Sequence, residues 1–322
     1  MVETEIRKKM NKEWKEVVLE NETLRITLFP ELGGKMTRLE NKETGTQFMK
    51  QYVESEGELK PPKIGFDFMP PYAYGFDECF PTVAPSSYLF NERVIQLPDH
   101  GELWAQEWDY EVDENRIVLK ASGVNFLYEF EKEIELKGSN IEIRYTVKND
   151  SYRAFDYLWS SHPLLEVDDQ DELLIDQEVD KVSIHETNEE GQISKKESEW
   201  PFVRGGKTDF SIVQAQSSGH AMKLFAERVK KGRAGLYRKQ SDETILFEFD
   251  VDKTPHLGIW LCYGGWPEEA DIGSYTVALE PATASFDKLS DAIDHRENKV
   301  IEPGENHTWN MSMKVINGKA DI

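Results

Sequence analysis

Ile141-Glu142-Ile143-Arg144-Tyr145-Thr146-Val147 alternates apolar and polar side chains without a break, and Asn149-Asp150 follows as a turn signal. Successive side chains on a strand point to opposite faces, so a period of two describes a strand with one face buried and one wet. Similar segments extend in both directions from this one. Leu24 to Phe29, Arg116 to Lys120 and Phe126 to Ile134 precede it; Glu172 to Ile175, Thr244 to Phe249, Leu257 to Tyr263, Tyr275 to Leu279 and His307 to Val315 follow. Between them lie Gly33-Gly34, Lys137-Gly138-Ser139-Asn140, Glu190-Gly191, Gly205-Gly206, Gly264-Gly265 and Pro303-Gly304, which are turn chemistry. Tyr52 to Lys63 is polar and bounded by Gly and Pro, and reads as a surface loop. Helix signals are confined to Phe286 to Arg296, with Ser285 as N-cap, and to Ala221 to Val229, whose pattern fits either period. Strands recurring every 8 to 12 residues or so, without βαβ alternation, predict an all-β fold: a large antiparallel β-sandwich with few short helices. We expect one domain over residues 1–322.

A chain of 322 residues with 39% hydrophobic side chains can bury a sizeable core. Its 61 acidic and 38 basic residues leave a formal charge of −23. Such a surface repels phosphate backbones and anionic lipids, and the one basic run, Glu227 to Arg233, is short. Nucleic acid is excluded as a partner. Met1 to Lys15 is charged throughout, unlike a signal peptide, and nowhere do about eighteen apolar residues run together as a membrane span requires. The expectation is a soluble, cytoplasmic protein, monomer or homodimer, with no membrane contact. Cys79 and Cys262 form no CxxC pair, hence no metal knuckle or disulfide framework, and are expected as buried free thiols.

Polar residues interrupt the apolar pattern at five places. His100 lies in Pro98-Asp99-His100-Gly101-Glu102-Leu103-Trp104, where the glycine permits close approach and Trp104 offers a flat face for a sugar. His162 ends an apolar run in Trp159-Ser160-Ser161-His162-Pro163, and the proline biases it to extended backbone. Glu280 follows Tyr275-Thr276-Val277-Ala278-Leu279, where the pattern gives no reason for a charge. A buried carboxylate has its pKa pushed up, toward the range suited to a general base. Asp77 and Glu78 sit in the aromatic segment Tyr74 to Phe80; carboxylates accept hydrogen bonds from hydroxyls, but adjacent strand residues point to opposite faces. Trp260, Tyr263 and Trp266 flank Gly264-Gly265 near His256, as an aromatic wall or as core. Singly, each has an ordinary structural reading: a turn histidine, a core histidine, a strand-end glutamate.

Together, Thr27-Leu28-Phe29-Pro30-Glu31-Leu32-Gly33-Gly34-Lys35, Asp99-His100-Gly101, Ser161-His162-Pro163 and Leu279-Glu280-Pro281 resemble the galactose mutarotase (aldose 1-epimerase) superfamily. The motifs come in family order and span residues 20–315. The resemblance implies a large twisted sandwich, a galactose mutarotase-like supersandwich, with its site in a cleft on the concave face. It also implies an aldose 1-epimerase that needs no cofactor and no metal. Glu280 would take the proton from the C1 hydroxyl, His162 would protonate the ring oxygen, and His100 would position the sugar. Asp77, Glu78, Trp104, Trp260 and Tyr263 are the expected substrate contacts. The chain departs from galactose-specific members: Gly75 to Pro81 lacks their arginine, and no acid stands near Gly219-His220-Ala221. The resemblance therefore implies a reaction on a small-molecule sugar rather than one particular sugar. Phosphosugars are disfavoured, because phosphate clamps need Arg or Lys clusters. Two other readings compete: a non-catalytic carbohydrate-binding or sensing protein on the same fold, and a glycoside hydrolase pairing Glu280 with Asp77 or Glu78. The second requires two acids flanking a sugar subsite.

Overall fold

Alternating strands must pair to satisfy their backbone groups and must stack to hide their apolar faces. The computed structural model, which describes residues 2–9, 12–188, 196–268 and 273–322, shows both. Most strands fall into an eleven-stranded and an eight-stranded sheet, and every strand pairing described within them is antiparallel. Asn140–Asn149 lies inside the eight-stranded sheet, between Tyr128–Lys137 and Asn306–Asn317. Ile141, Ile143, Tyr145 and Val147 are buried there, while Glu142, Arg144 and Lys148 are exposed. Ile117, Phe130, Tyr145 and Phe247 of this sheet share one apolar cluster with Leu28, Phe76, Ile259 and Leu279 of the other. Each such side chain contributes roughly 1.5–3 kcal/mol by leaving water.

The middle of the eleven-stranded sheet runs Phe76–Cys79, Ser160–Leu165, Tyr275–Ala282, His256–Tyr263, His220–Ala226. Ser160–Leu165 is buried on both faces, and Tyr275–Ala282 nearly so. One face belongs to the sandwich core. The other is covered by a second cluster in which Leu164 and Ala278 meet Phe68, Ala73, Trp104 and Ala105 from the loops.

Ala221 to Val229, which fits either period, is strand from His220 to Ala226. The C-terminal helix is shorter than predicted, Leu289–Asp294 with Lys288 at the N-cap; Ser285 instead donates to Glu297 at 2.8 Å. Tyr52 to Lys63 contains only a 3-10 turn at Glu54–Glu56. Glu190-Gly191 lies outside the described residues. Cys79 and Cys262 are free and buried. No described helix is long and apolar enough to cross a membrane.

Glu78 and Lys132 tie the two sheets together. Glu78, on Phe76–Cys79, points into the sandwich and meets Lys132 Nζ of the opposite sheet at 2.7 Å, with both side chains 1% exposed. Tyr145 and Trp159 donate to the same carboxylate, each at 3.0 Å. Breaking a buried pair leaves an uncompensated charge, so Glu78→Ala should cost about 3–5 kcal/mol in urea unfolding. A loss below about 1 kcal/mol would show that the pair does not clamp the sheets.

Candidate active site

Ser160 pairs with Ala282 and Leu164 with Ala278, a register that sets His162 opposite Glu280. His162 Nε2 lies 3.8 Å from Glu280 Oε1. On its other side Glu280 pairs with Gly258, and the next strand brings Phe225 opposite Gly258 and Lys223 opposite Trp260. Lys223 reaches diagonally across Gly258 to donate to Glu280 Oε2. The crossing leaves no room for a methyl group without a shift of the carboxylate: a Cβ on residue 258 would stand 2.9 Å from Glu280 Oε2 and 3.3 Å from Lys223 Nζ. Lys223 has a second carboxylate, Asp287 Oδ1, at 3.7 Å.

A loop delivers His100 to the same place. Gly101 forms a bridge with Phe80, and at φ +72° its missing Cβ would fall 2.1 Å from the Phe80 carbonyl oxygen, so only glycine fits. His100 itself is held at φ 55°. Its Nδ1 lies 3.0 Å from Asp99 Oδ1, and Asp99 Oδ2 accepts the Phe68 amide at 2.7 Å. Phe68 stacks on His100 at 4.1 Å between centroids and meets His162 edge-on at 5.1 Å. Glu102, fully buried, accepts the amides of Val124 and Asn125, the Asn125 side chain and the Tyr128 hydroxyl, anchoring the loop to the eight-stranded sheet.

These groups surround a cavity of about 250 Å³, room for one monosaccharide. His100, His162, Lys223 and Asp287 line it with Trp260 and Trp266; Ser274 and Thr276 supply hydroxyls. Glu280 is 0% exposed and sits behind His162 and Lys223. Burial pushes its carboxyl above the ordinary glutamate value, against the pull of Lys223. Burial also pushes His162 well below the ordinary histidine value, helped by the positive fields of His100, Lys223 and Lys35, so its imidazole is neutral at pH 7. Burial acts to lower Lys223, but the carboxylates of Glu280 and Asp287 more than reverse this, and it stays an ammonium. Asp99 is held low: burial opposes its charge, and its contacts with His100 and the Phe68 amide prevail.

Of the residues singled out from sequence, His100, His162, Glu280, Trp260 and Trp266 converge here. Trp104 does not line the cavity; it packs edge-on beneath Phe68 at 5.1 Å and donates to the Asp99 carbonyl. Tyr263 is three residues beyond Trp260 and therefore on the other face of the strand, in the sandwich core. Asp77 and Glu78 point to opposite faces and neither lines the cavity. Asp77 pairs with buried Lys35 under Phe68, and Glu78 with Lys132. The pairing of Glu280 with Asp77 or Glu78 that a glycoside hydrolase reading requires is thus not formed, and the group opposite Glu280 is His162. Sequence reading missed Lys223, Asp287 and Phe68. Lys223 had a signal: it interrupts Ala221-Met222-Lys223-Leu224-Phe225-Ala226 much as Glu280 interrupts its own strand.

Over residues 2–69 the sequence matches the model of a family described as "Domain of unknown function (DUF5107)". It matches no curated protein. The fold matches solved structures along nearly the whole chain. A galactose mutarotase related enzyme from Lactobacillus acidophilus is 15% identical with a TM-score of 0.70, covering 95% of this chain and 99% of that one. A galactose mutarotase-like protein from Lactobacillus casei is 15% identical with a TM-score of 0.67, covering 94% and 100%. A TPR-domain containing protein from Parabacteroides distasonis is 15% identical with a TM-score of 0.68, covering 97% of this chain and 48% of that one. At such identities the likeness is one of fold, and the chain has the galactose mutarotase-like sandwich.

Gly258→Ala tests whether Glu280 needs its present position. The methyl group must displace the carboxylate from between Lys223 and His162, so any turnover that depends on this carboxylate should fall about tenfold or more. Urea unfolding should register only about 1 kcal/mol. Unchanged turnover would mean that the placement of Glu280 is immaterial to the site.

Proposed function

We propose that the protein is an aldose 1-epimerase, interconverting the α and β anomers of a free aldose. The observation that carries this reading is His162 set opposite Glu280 at the back of a cavity the size of one monosaccharide. Mutarotation needs a group that removes the O1 proton and donors that support the ring oxygen while the C1–O5 bond opens. Glu280 is the proton acceptor; burial raises its basicity, against the pull of Lys223 beside it. His162 serves the ring oxygen, and His100, braced by Asp99 and Phe68, orients the sugar. Trp260 and Trp266 offer apolar faces to the pyranose C–H groups. Opening yields the free aldehyde, rotation about C1–C2 exchanges its faces, and reclosure gives the other anomer. The likeness of fold to proteins named for galactose mutarotase supports the same reading. The only ammonium on the cavity wall among the described residues already faces two carboxylates, which favours a neutral sugar over a phosphosugar.

Polarimetry with freshly dissolved aldoses tests the proposal directly. At least one should reach anomeric equilibrium faster with protein than without. If none does, while a sugar still raises the thermal midpoint, the protein is a carbohydrate binder instead. Glu280→Gln and His162→Asn should each lower kcat by roughly 10²–10⁴-fold.

The pH profile gives a second check. Glu280 works as a carboxylate, so kcat/KM should fall as pH drops through its raised pKa. The acid limb should then lie above the ordinary glutamate value of 4.5. A limb at or below 4.5 would remove Glu280 from the role of base.

A further inference from the structure

We propose that Asp99 is a positioning residue that fixes the proton of His100 on Nδ1, so that Nε2 meets the sugar as a hydrogen-bond acceptor. The inference rests on the mutarotase reading and sharpens it: His100 orients the sugar by accepting a hydrogen bond from a hydroxyl other than O1. A ring in this form cannot serve the pyranose ring oxygen, which itself only accepts. Three observations carry the proposal.

The first is the partner of Nδ1. Asp99 Oδ1 stands 3.0 Å from it. A carboxylate has no proton to give, so a hydrogen bond here puts the proton on the ring nitrogen. Asp99 stays a carboxylate: burial opposes its charge, and its contacts with His100 and the Phe68 amide outweigh burial. The second is the clamp on the pair. Asp99 Oδ2 accepts the Phe68 amide at 2.7 Å, and the Phe68 ring stacks on His100 at 4.1 Å. One loop residue thus holds the carboxylate and the imidazole against each other. The third is what remains for a ligand. With Nδ1 on Asp99 and one ring face on Phe68, Nε2 is the polar atom left on a ring that lines the cavity. No described residue hydrogen-bonds to it. A neutral imidazole carries one N–H, so this nitrogen presents a lone pair.

His162 is disposed the other way. Its Nδ1 is buried without a hydrogen-bond partner, and its Nε2 faces Glu280 Oε1 at 3.8 Å. An acceptor oxygen beside Nε2 draws the proton to that nitrogen. The two rings divide the work: His162 gives a hydrogen bond to the ring oxygen, and His100 takes one from a hydroxyl.

Asp99→Asn exchanges the tautomer of His100. The Phe68 amide needs an acceptor, so the new side-chain oxygen takes that place and its NH2 turns to Nδ1. Nδ1 must then accept, and the proton moves to Nε2. Proton–nitrogen correlation NMR on protein with isotope-labelled histidine reads this at about pH 8.5, well above the ordinary histidine value. The His100 signal is assigned by its absence from His100→Gln. Wild type should show the Nδ1–H form and Asp99→Asn the Nε2–H form. An Nε2–H or doubly protonated His100 in the wild type would overturn the proposal, and this readout needs neither sugar nor turnover.

The acceptor role is read by calorimetry, using the aldose whose mutarotation the protein accelerates most. Its analogues carry fluorine, which cannot donate, in place of one hydroxyl at a time, O1 excepted. One position should cost the wild type about tenfold or more in affinity. The same replacement should cost Asp99→Asn less than about threefold. No such position in the wild type, or equal losses in both proteins, would overturn the acceptor role. If polarimetry finds no accelerated aldose, the mutarotase reading fails and the acceptor role with it, while the spectrum still decides the tautomer. Should Asp99→Asn not fold, the wild-type spectrum and the wild-type fluorine series decide alone.

Discussion

A charge removed from water must be paired, and three carboxylates in the middle of the eleven-stranded sheet are each paired with a buried lysine: Asp77 with Lys35, Glu78 with Lys132, Glu280 with Lys223. Isolated, any of these carboxylates would cost several kcal/mol to bury. The pairs also sort the two faces of the sheet. Glu78 points into the sandwich and joins the sheets. Asp77 and Glu280 lie on the other side, behind and beside the cavity. Adjacent residues on one short strand thus carry unlike duties, a clamp between the sheets and a pair beneath Phe68, because a strand sends neighbouring side chains opposite ways.

The cavity depends on that arrangement at close quarters. Register brings His162 and Glu280 face to face, and the absence of a side chain at Gly258 lets Lys223 cross to the carboxylate. Asp99 and Phe68 then hold His100 from the loop side, with Glu102 anchoring that loop to the eight-stranded sheet. Reactive groups are consequently fixed from both layers of the sandwich. In the proposed reaction, such preorganisation would let acid and base meet a sugar without rearranging at the moment of reaction.

How much of this was legible beforehand follows from the range of each interaction. The strands were plain, because alternation is local and the Asn140–Asn149 pattern repeats across both sheets. His100, His162 and Glu280 stood out as polar breaks in apolar runs, and their order along the chain resembled a known superfamily. Trp104 and Tyr263 were legible only as aromatics. Three residues separate Trp260 from Tyr263, which puts them on opposite faces, and Trp104 serves the cavity through Phe68 rather than touching it. The Ala221 to Val229 segment fits either period because Lys223 breaks its apolar run, and that break was itself the mark of a buried partner.

What the sequence determined by itself is the class of fold and the identity of the exceptional residues, since both are written in short-range periodicity and in departures from it. Tertiary structure alone decided the pairings. Lys35 and Lys132 look like ordinary surface lysines, and Lys223, though it breaks an apolar run, names no partner until folding carries all three beside carboxylates tens of residues away. No local pattern encodes which buried charge will meet which. That depends on strand order, register and facing, and these settle only when two sheets close over one core and every buried charge must find its partner.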